Sequence, residues 1–295
     1  MSEISVKPQA GGEAPVARNT VLTRFWAQGQ AKIGVILTAL IVVLAFAGPL
    51  LLPWATGYSA TEFAARPFQV DGIFGTDNLG RDVLSRFLAG GTSLILYSVL
   101  ATVFGLLIGV LFGMVAAYVG GWLDSVIMRA NDVLLAIPQL VFALLAITVL
   151  GPQPWVLVTV IAVTHAPRIA RVARSAALDV KGEDYILAAE MYAMPKSRVL
   201  FREILPNITG PLAVEAGLRL TYSIGAIASL SFLGLGMQPP AADWGLMINE
   251  NRIALSIQPW GVMLPVLAIA VLTIGTNLIA DSIARASASR NVGDA

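Results

Sequence analysis

Polar and apolar positions along this chain segregate into long blocks rather than alternating. Apolar runs at Ile33–Pro53, Thr92–Tyr118, Val133–Leu150, Pro154–Ala166, Pro211–Leu235 and Trp260–Ala280 are separated by shorter polar stretches. A helix needs about 20 residues to cross a hydrocarbon core of about 30 Å, and only helices or closed barrels satisfy their backbone there. The continuous runs predict helices, giving an all-α integral membrane protein with six spans. The fourth run, WVLVTVIAVTHA, is short before Pro167, and the pattern predicts that its helix continues through RIARVARSAAL. There Arg168, Arg171 and Arg174 recur every third residue and can snorkel to the headgroups.

Composition agrees with this class. Of the 295 residues, 57% are hydrophobic and 13% charged, where soluble domains carry roughly 25% charged residues. The net charge of +1 leaves no footprint for nucleic acid. With no cysteine and one histidine, His165, the chain lacks thiol chemistry and the means for a His/Cys metal site, so no cofactor or metal is expected on it. His165 itself reads as a residue at the membrane interface.

Charge position sets orientation. Lys7, Arg18, Arg24 and Lys32 precede the first span, seven Lys/Arg lie between Arg168 and Arg202, and Arg285 and Arg290 follow the last span. With six spans these regions share one side, so both termini and the Asp179–Asn207 segment of this multi-pass chain are expected in the cytosol. Trp54–Gly91, which carries Asp71 among its acids, and Met237–Pro259 then lie outside. The expected organisation is a disordered tail at 1–32, a first span at 33–53, an external segment at 54–91 with an amphipathic helix, a core at 92–281, and a tail at 282–295.

Within the second span, Gly105, Gly109 and Gly113 form a stripe that permits close helix approach, either inside one bundle or between subunits. The span middles are almost free of ionisable groups, which removes the usual relay of ion-coupled transport. Glu215 and Arg219, one turn apart, read as a structural pair. No Gly-Lys dipeptide occurs anywhere, so the chain has no phosphate loop ending in Gly-Lys-Ser/Thr.

The segment DVKGEDYILAAEMYAMPKSRVLFREILPN (Asp179–Asn207) predicts two short helices, Glu183–Met194 and Pro195–Leu205, the first Ala-centred and stopped by Pro195. It reads either as a handle for a protein partner or as a connector lying on the bilayer. Its Tyr185, Ala188-Ala189, Ala193 and Ile204-Leu205-Pro206-Asn207 resemble the EAA loop of ABC importer permeases. Leu187 stands where that family usually has Glu, and Ala193 where it has Gly. FGTDNLGRDVLSRFLAGGTSLILYS (Phe74–Ser98) is similar to the GTD-x-LGRD segment of the dipeptide/oligopeptide/nickel group, and Ala116–Leu140 and Ala228–Ile248 match it further.

The resemblance covers roughly residues 30–285 and implies the C-type subunit, with a type I importer fold and a cytosolic coupling helix between spans four and five. Its implied partners are a second permease, two ABC ATPases that carry ATP and Mg, an external substrate-binding protein and the bilayer, with no nucleic acid. It implies a non-catalytic chain whose ATPase-coupling residues are Glu183, Asp184, Tyr185, Leu187, Ala188, Ala189, Ala193, Leu205, Pro206 and Asn207. Asp77, Arg81, Asp82, Arg86, Asp243 and Trp244 are candidates for contact with the binding protein; a fold-stabilising charge network is the alternative for Asp77, Arg81, Asp82 and Arg86.

Overall fold

A computed structural model describes residues 21–70 and 73–288. Lys7, Arg18, Asp71 and Arg290, which entered the charge and orientation reading, lie outside the described residues. The described chain is helical with two isolated β-bridges and no strand. Its long helices are α2 (Gly29–Ala55), α3 (Val83–Val119), α6 (Pro154–Lys181), α10 (Thr209–Phe232) and α12 (Trp260–Ala288). Between them lie α4 (Gly121–Ala136), α5 (Gln139–Leu150), α7 (Asp184–Met191), α8 (Lys196–Arg198), α9 (Leu205–Asn207) and α11 (Trp244–Asn251). A short α1 (Val21–Ala27) precedes them all.

Residues 21–27 and 29–32 are helical, as are 282–288, so the expected tails at 1–32 and 282–295 are helical over nearly all of the parts that are described. Gln28 and Arg285 explain this at both ends: Gln28 Nε2 donates to Ser282 O at 3.2 Å and Arg285 Nε to Gln28 Oε1 at 3.0 Å. Among the described residues, four helices are long and apolar enough to cross a membrane: α2, α3, α6 and α12. The run expected at Val133–Leu150 is instead broken into α4 and α5, bent by 86°. Pro138 forces this, because it drives Ile137 into extended backbone (ψ 125°) and removes a helical donor. Counting the bent pair as one span gives five, while α10, 24 residues or about 36 Å long, has the length but carries Glu215 and Arg219.

As the pattern predicts, α6 runs unbroken through Pro167 to Lys181. It packs along α3 over the glycine stripe, which settles that stripe as packing within the chain. A Cβ at Gly109 would lie 2.6 Å from Ile169 Cβ, and one at Gly113 2.4 Å from Ala170 O. Elsewhere Gly34 of α2 meets Gly275 of α12, and Gly217 of α10 meets Ala280. Van der Waals contact at such crossings is the main attraction between helices in lipid.

Gly113→Ala should destabilise the chain by about 1–3 kcal/mol, since the obstructing atoms are backbone. Gly225→Ala, where a Cβ meets nothing within 4 Å, should not. Thermal unfolding of the two variants in detergent checks the contrast.

Candidate functional site

Polar and functional residues collect at the two ends of α3, which at 37 residues is about 55 Å long.

At its C-terminal end sits the Asp179–Asn207 hairpin. Lys181 Nζ donates to Tyr118 O at 2.8 Å and Ala117 O at 3.3 Å, placing a cation on the last carbonyls of α3. Arg174 holds Asp124 through two bonds of 2.6 and 2.5 Å, fixing α6 to α4. Helix α7 buries Ile186 and Ala189 in a cluster with Met114, Ala117, Ala177, Val199 and Ile204. Its outer side exposes Glu183, Asp184, Tyr185, Leu187 and Ala188, then Met191 and Tyr192 at 88% and 84% exposure. The Ala188-Ala189 pair is thus divided: Ala188 faces out and Ala189 faces in, because neighbours in a helix point about 100° apart. Sequence reasoning missed Met191 and Tyr192, although two large apolar residues just before a helix stop were a usable signal.

The reversal after α7 is a Schellman turn. Met194 N donates to Ala189 O at 3.1 Å and Ala193 N to Glu190 O at 2.9 Å, with Ala193 in the left-handed region at φ 53°. The family's usual glycine suits this position; here a Cβ carries the strain. The second helix was expected to end before Pro206, yet the chain stays helical to Asn207. A π-helical turn at Val199–Ile204, in which Leu205 N reaches back to Leu200 O, shifts the hydrogen-bond register just ahead of the proline. Leu205 is half-buried, and Pro206 and Asn207 are exposed.

Between the hairpin and the ends of α6, α10 and α12 lies a cleft of about 490 Å³, lined by Asp179, Glu183, Tyr185, Asn207, Thr209 and Ser287 among others. Partial burial and the carboxylates of Glu183 and Glu203 push the Tyr185 phenol up, so it stays neutral at physiological pH.

The N-terminal end of α3 carries a closed charge cluster. Arg81 Nε lies 2.7 Å from Asp77 Oδ2 and Arg81 Nη2 3.0 Å from Glu250 Oε2; Arg86 Nη2 lies 2.9 Å from Glu250 and its Nε 3.3 Å from Asp77. Asp77 Oδ1 also accepts from Leu79 N and Arg81 N. Asp82 caps α3 by accepting from Ser85 N, and Asp243 caps α11 by accepting from Leu246 N while Ser93 Oγ donates to its other oxygen. Burial raises the Asp243 carboxyl above its ordinary range. Trp244 stacks on Phe87 and donates to Phe87 O at 2.8 Å.

Of the six candidates for contact with an external protein, Asp77, Arg81, Arg86, Asp243 and Trp244 are therefore buried, and Asp82 is a part-buried cap. The charge-network alternative is what this geometry displays. Two cations matched to two anions can leave water together, where any one alone could not. The expected amphipathic helix along the membrane is likewise replaced: Arg81 precedes α3 and Arg86 points inward from it. Glu250, Asn251 and Gln258, which lie far away in sequence, complete the cluster's surroundings and were not readable from it.

His165 also differs from expectation. It is fully buried between α3, α6 and α10, with Nε2 3.0 Å from Ser223 Oγ, which lies 3.0 Å from Thr102 Oγ1. Glu215 and Arg219 pair one turn away.

The bent helix pair, the glycine-packed bundle and the exposed hairpin together define a helical membrane protein. The sequence profile of the binding-protein-dependent transport system inner membrane component family matches residues 109–292, and the chain belongs to that family. Relatives include the oligopeptide transport system permease protein OppC of Bacillus subtilis, 34% identical over 89% of this chain and 86% of the relative. The dipeptide permease protein DppC of the same organism is 33% identical over 86% and 79%. The glutathione transport system permease protein GsiD of Pectobacterium atrosepticum is 34% identical over 88% and 87%. Among solved structures, an inward-facing MetNI methionine ABC transporter shares the fold with a TM-score of 0.55 at 16% identity, covering 68% of this chain and 96% of that one.

Two outcomes follow for these sites. Ala193→Gly should stabilise the chain by about 1 kcal/mol by relieving the left-handed alanine, read as a raised unfolding temperature. Glu250→Ala should cost about 3–5 kcal/mol, because Arg81 and Arg86 then lose a shared buried anion; Glu250→Gln should cost less, in the same assay.

Proposed function

We propose that this chain is the C-type permease subunit of an ATP-driven importer of peptides, and that the Glu183–Asn207 hairpin receives a separate ABC ATPase. The observation that carries the reading is the outer face of α7. Leu187, Ala188, Met191 and Tyr192 stand exposed together on a helix whose opposite side is locked into the ends of α3 and α6. Such a surface favours a protein partner, and its rigid base would pass the partner's motion into the spans. The chain's own sequence has no phosphate loop, so ATP and Mg belong to the partner. The names of the relatives support peptides as cargo.

On this reading α2, α3, the α4–α5 pair, α6, α10 and α12 make six crossings in the bacterial inner membrane. Both termini and the hairpin then lie in the cytosol. A second permease completes the pathway, and an external binding protein delivers the peptide.

Ala188→Arg should abolish co-purification of the ATPase subunits and peptide-stimulated ATP hydrolysis while leaving the unfolding temperature of the permease unchanged. Ala189→Arg, on the buried side, should unfold the hairpin instead. Normal ATPase retention by the Ala188 variant would reject the docking surface.

A further inference from the structure

The returning arm of the hairpin, α8 and the π-helical turn after it, carries cations that the chain does not use. Arg198 and Arg202 are exposed and four residues apart, so they share one face. Neither guanidinium takes a hydrogen bond or an ion pair among the described residues. Glu203, the acid of this stretch, lies near Tyr185 instead.

Beside these arginines runs a groove of about 450 Å³ between α3, the π-helical turn and α10. Leu107, Leu111, Phe201, Leu205 and Leu212 line it, and Thr209, the polar residue among its walls, spends its hydroxyl on Pro206 O at 2.9 Å. Walls without a free polar side chain suit hydrocarbon and not water.

Its depth matches one half of a bilayer. Val199 and Ile204 of the π-helical turn pack with Met114 and Ala117, near the tip of α3. From Met114 the groove reaches back along α3 to Val103, about 16 Å at the helical rise and close to half of a hydrocarbon core of about 30 Å. Phe201, in the groove wall, falls between the two arginines in sequence, so the charges stand at the end nearer the tip of α3.

We infer that the groove and its arginines form a binding site for an anionic phospholipid. One acyl chain lies along α3 against Leu107, Leu111 and Leu212, and the phosphate sits at Arg198 and Arg202. Guanidinium donors match phosphate oxygens in pairs, and basic pockets beside spans hold acidic headgroups by the same chemistry. The site needs a bilayer but not the importer reading.

Native mass spectrometry of the full chain tests this, after delipidation in detergent and addition of phosphatidylglycerol or phosphatidylcholine in turn. Phosphatidylglycerol should bind about thirtyfold more tightly, since each arginine near the headgroup adds about fivefold. Arg198→Gln combined with Arg202→Gln should erase that preference without changing the unfolding temperature, and the paired Arg198→Lys and Arg202→Lys changes should keep most of it. Leu111→Trp, which fills the groove from an exposed position, should weaken the binding of both lipids. Phosphatidylglycerol should also stay bound in the complete complex.

Equal binding of the two lipids, or a preference that survives the double glutamine variant, would overturn the inference. So would lipid held by the isolated chain and lost in the complex, which would make the groove a contact with the second permease.

Discussion

The close crossing of α3 and α6 over Gly105, Gly109 and Gly113 is the contact on which the rest of the molecule depends. In lipid no hydrophobic force draws helices together, so contact distance decides which pairs hold. With no Cβ on α3, Ile169 and Ala170 of α6 come into backbone range. The ends of these two helices then carry Lys181, Arg174 and the apolar cluster beneath α7, so the hairpin inherits its position from the glycine stripe.

Charge is handled differently at the two ends of α3. At one end Asp77, Arg81, Arg86 and Glu250 neutralise one another out of water and tie the start of α3 to α11. At the other, Lys181 and Arg174 are spent on helix ends while Glu183 and Asp184 remain in solvent. The closed cluster stabilises a joint; the open one leaves a surface for another molecule.

Much of the fold was legible because apolar runs longer than a bilayer have few other uses. The continuity of α6 beyond Pro167 followed from the arginine spacing, and the hairpin from Pro195 and its flanking polar residues. The break at Pro138 was written in the sequence but masked by uninterrupted hydrophobicity on both sides. The charge cluster was legible in part: Asp77, Arg81 and Arg86 were readable as a network, but Glu250, which Arg86 meets across 164 positions, was not, since pairing at that range depends on the fold. Nor does a one-letter pattern say that Ala189 faces inward while Ala188 faces out, or that Ala193 would be left-handed; both depend on where the end of α3 lies.

The central claim is that the hairpin and the ends of α3 and α6 move as one body. Pulsed electron-spin distance measurements between labels at Tyr192 and at Val119, the last residue of α3, both exposed, in the complete transporter test it most directly. The account predicts the same distance in nucleotide-free and ATP-bound complexes. A distance that shifts with nucleotide would show the hairpin hinging on its own and contradict the account.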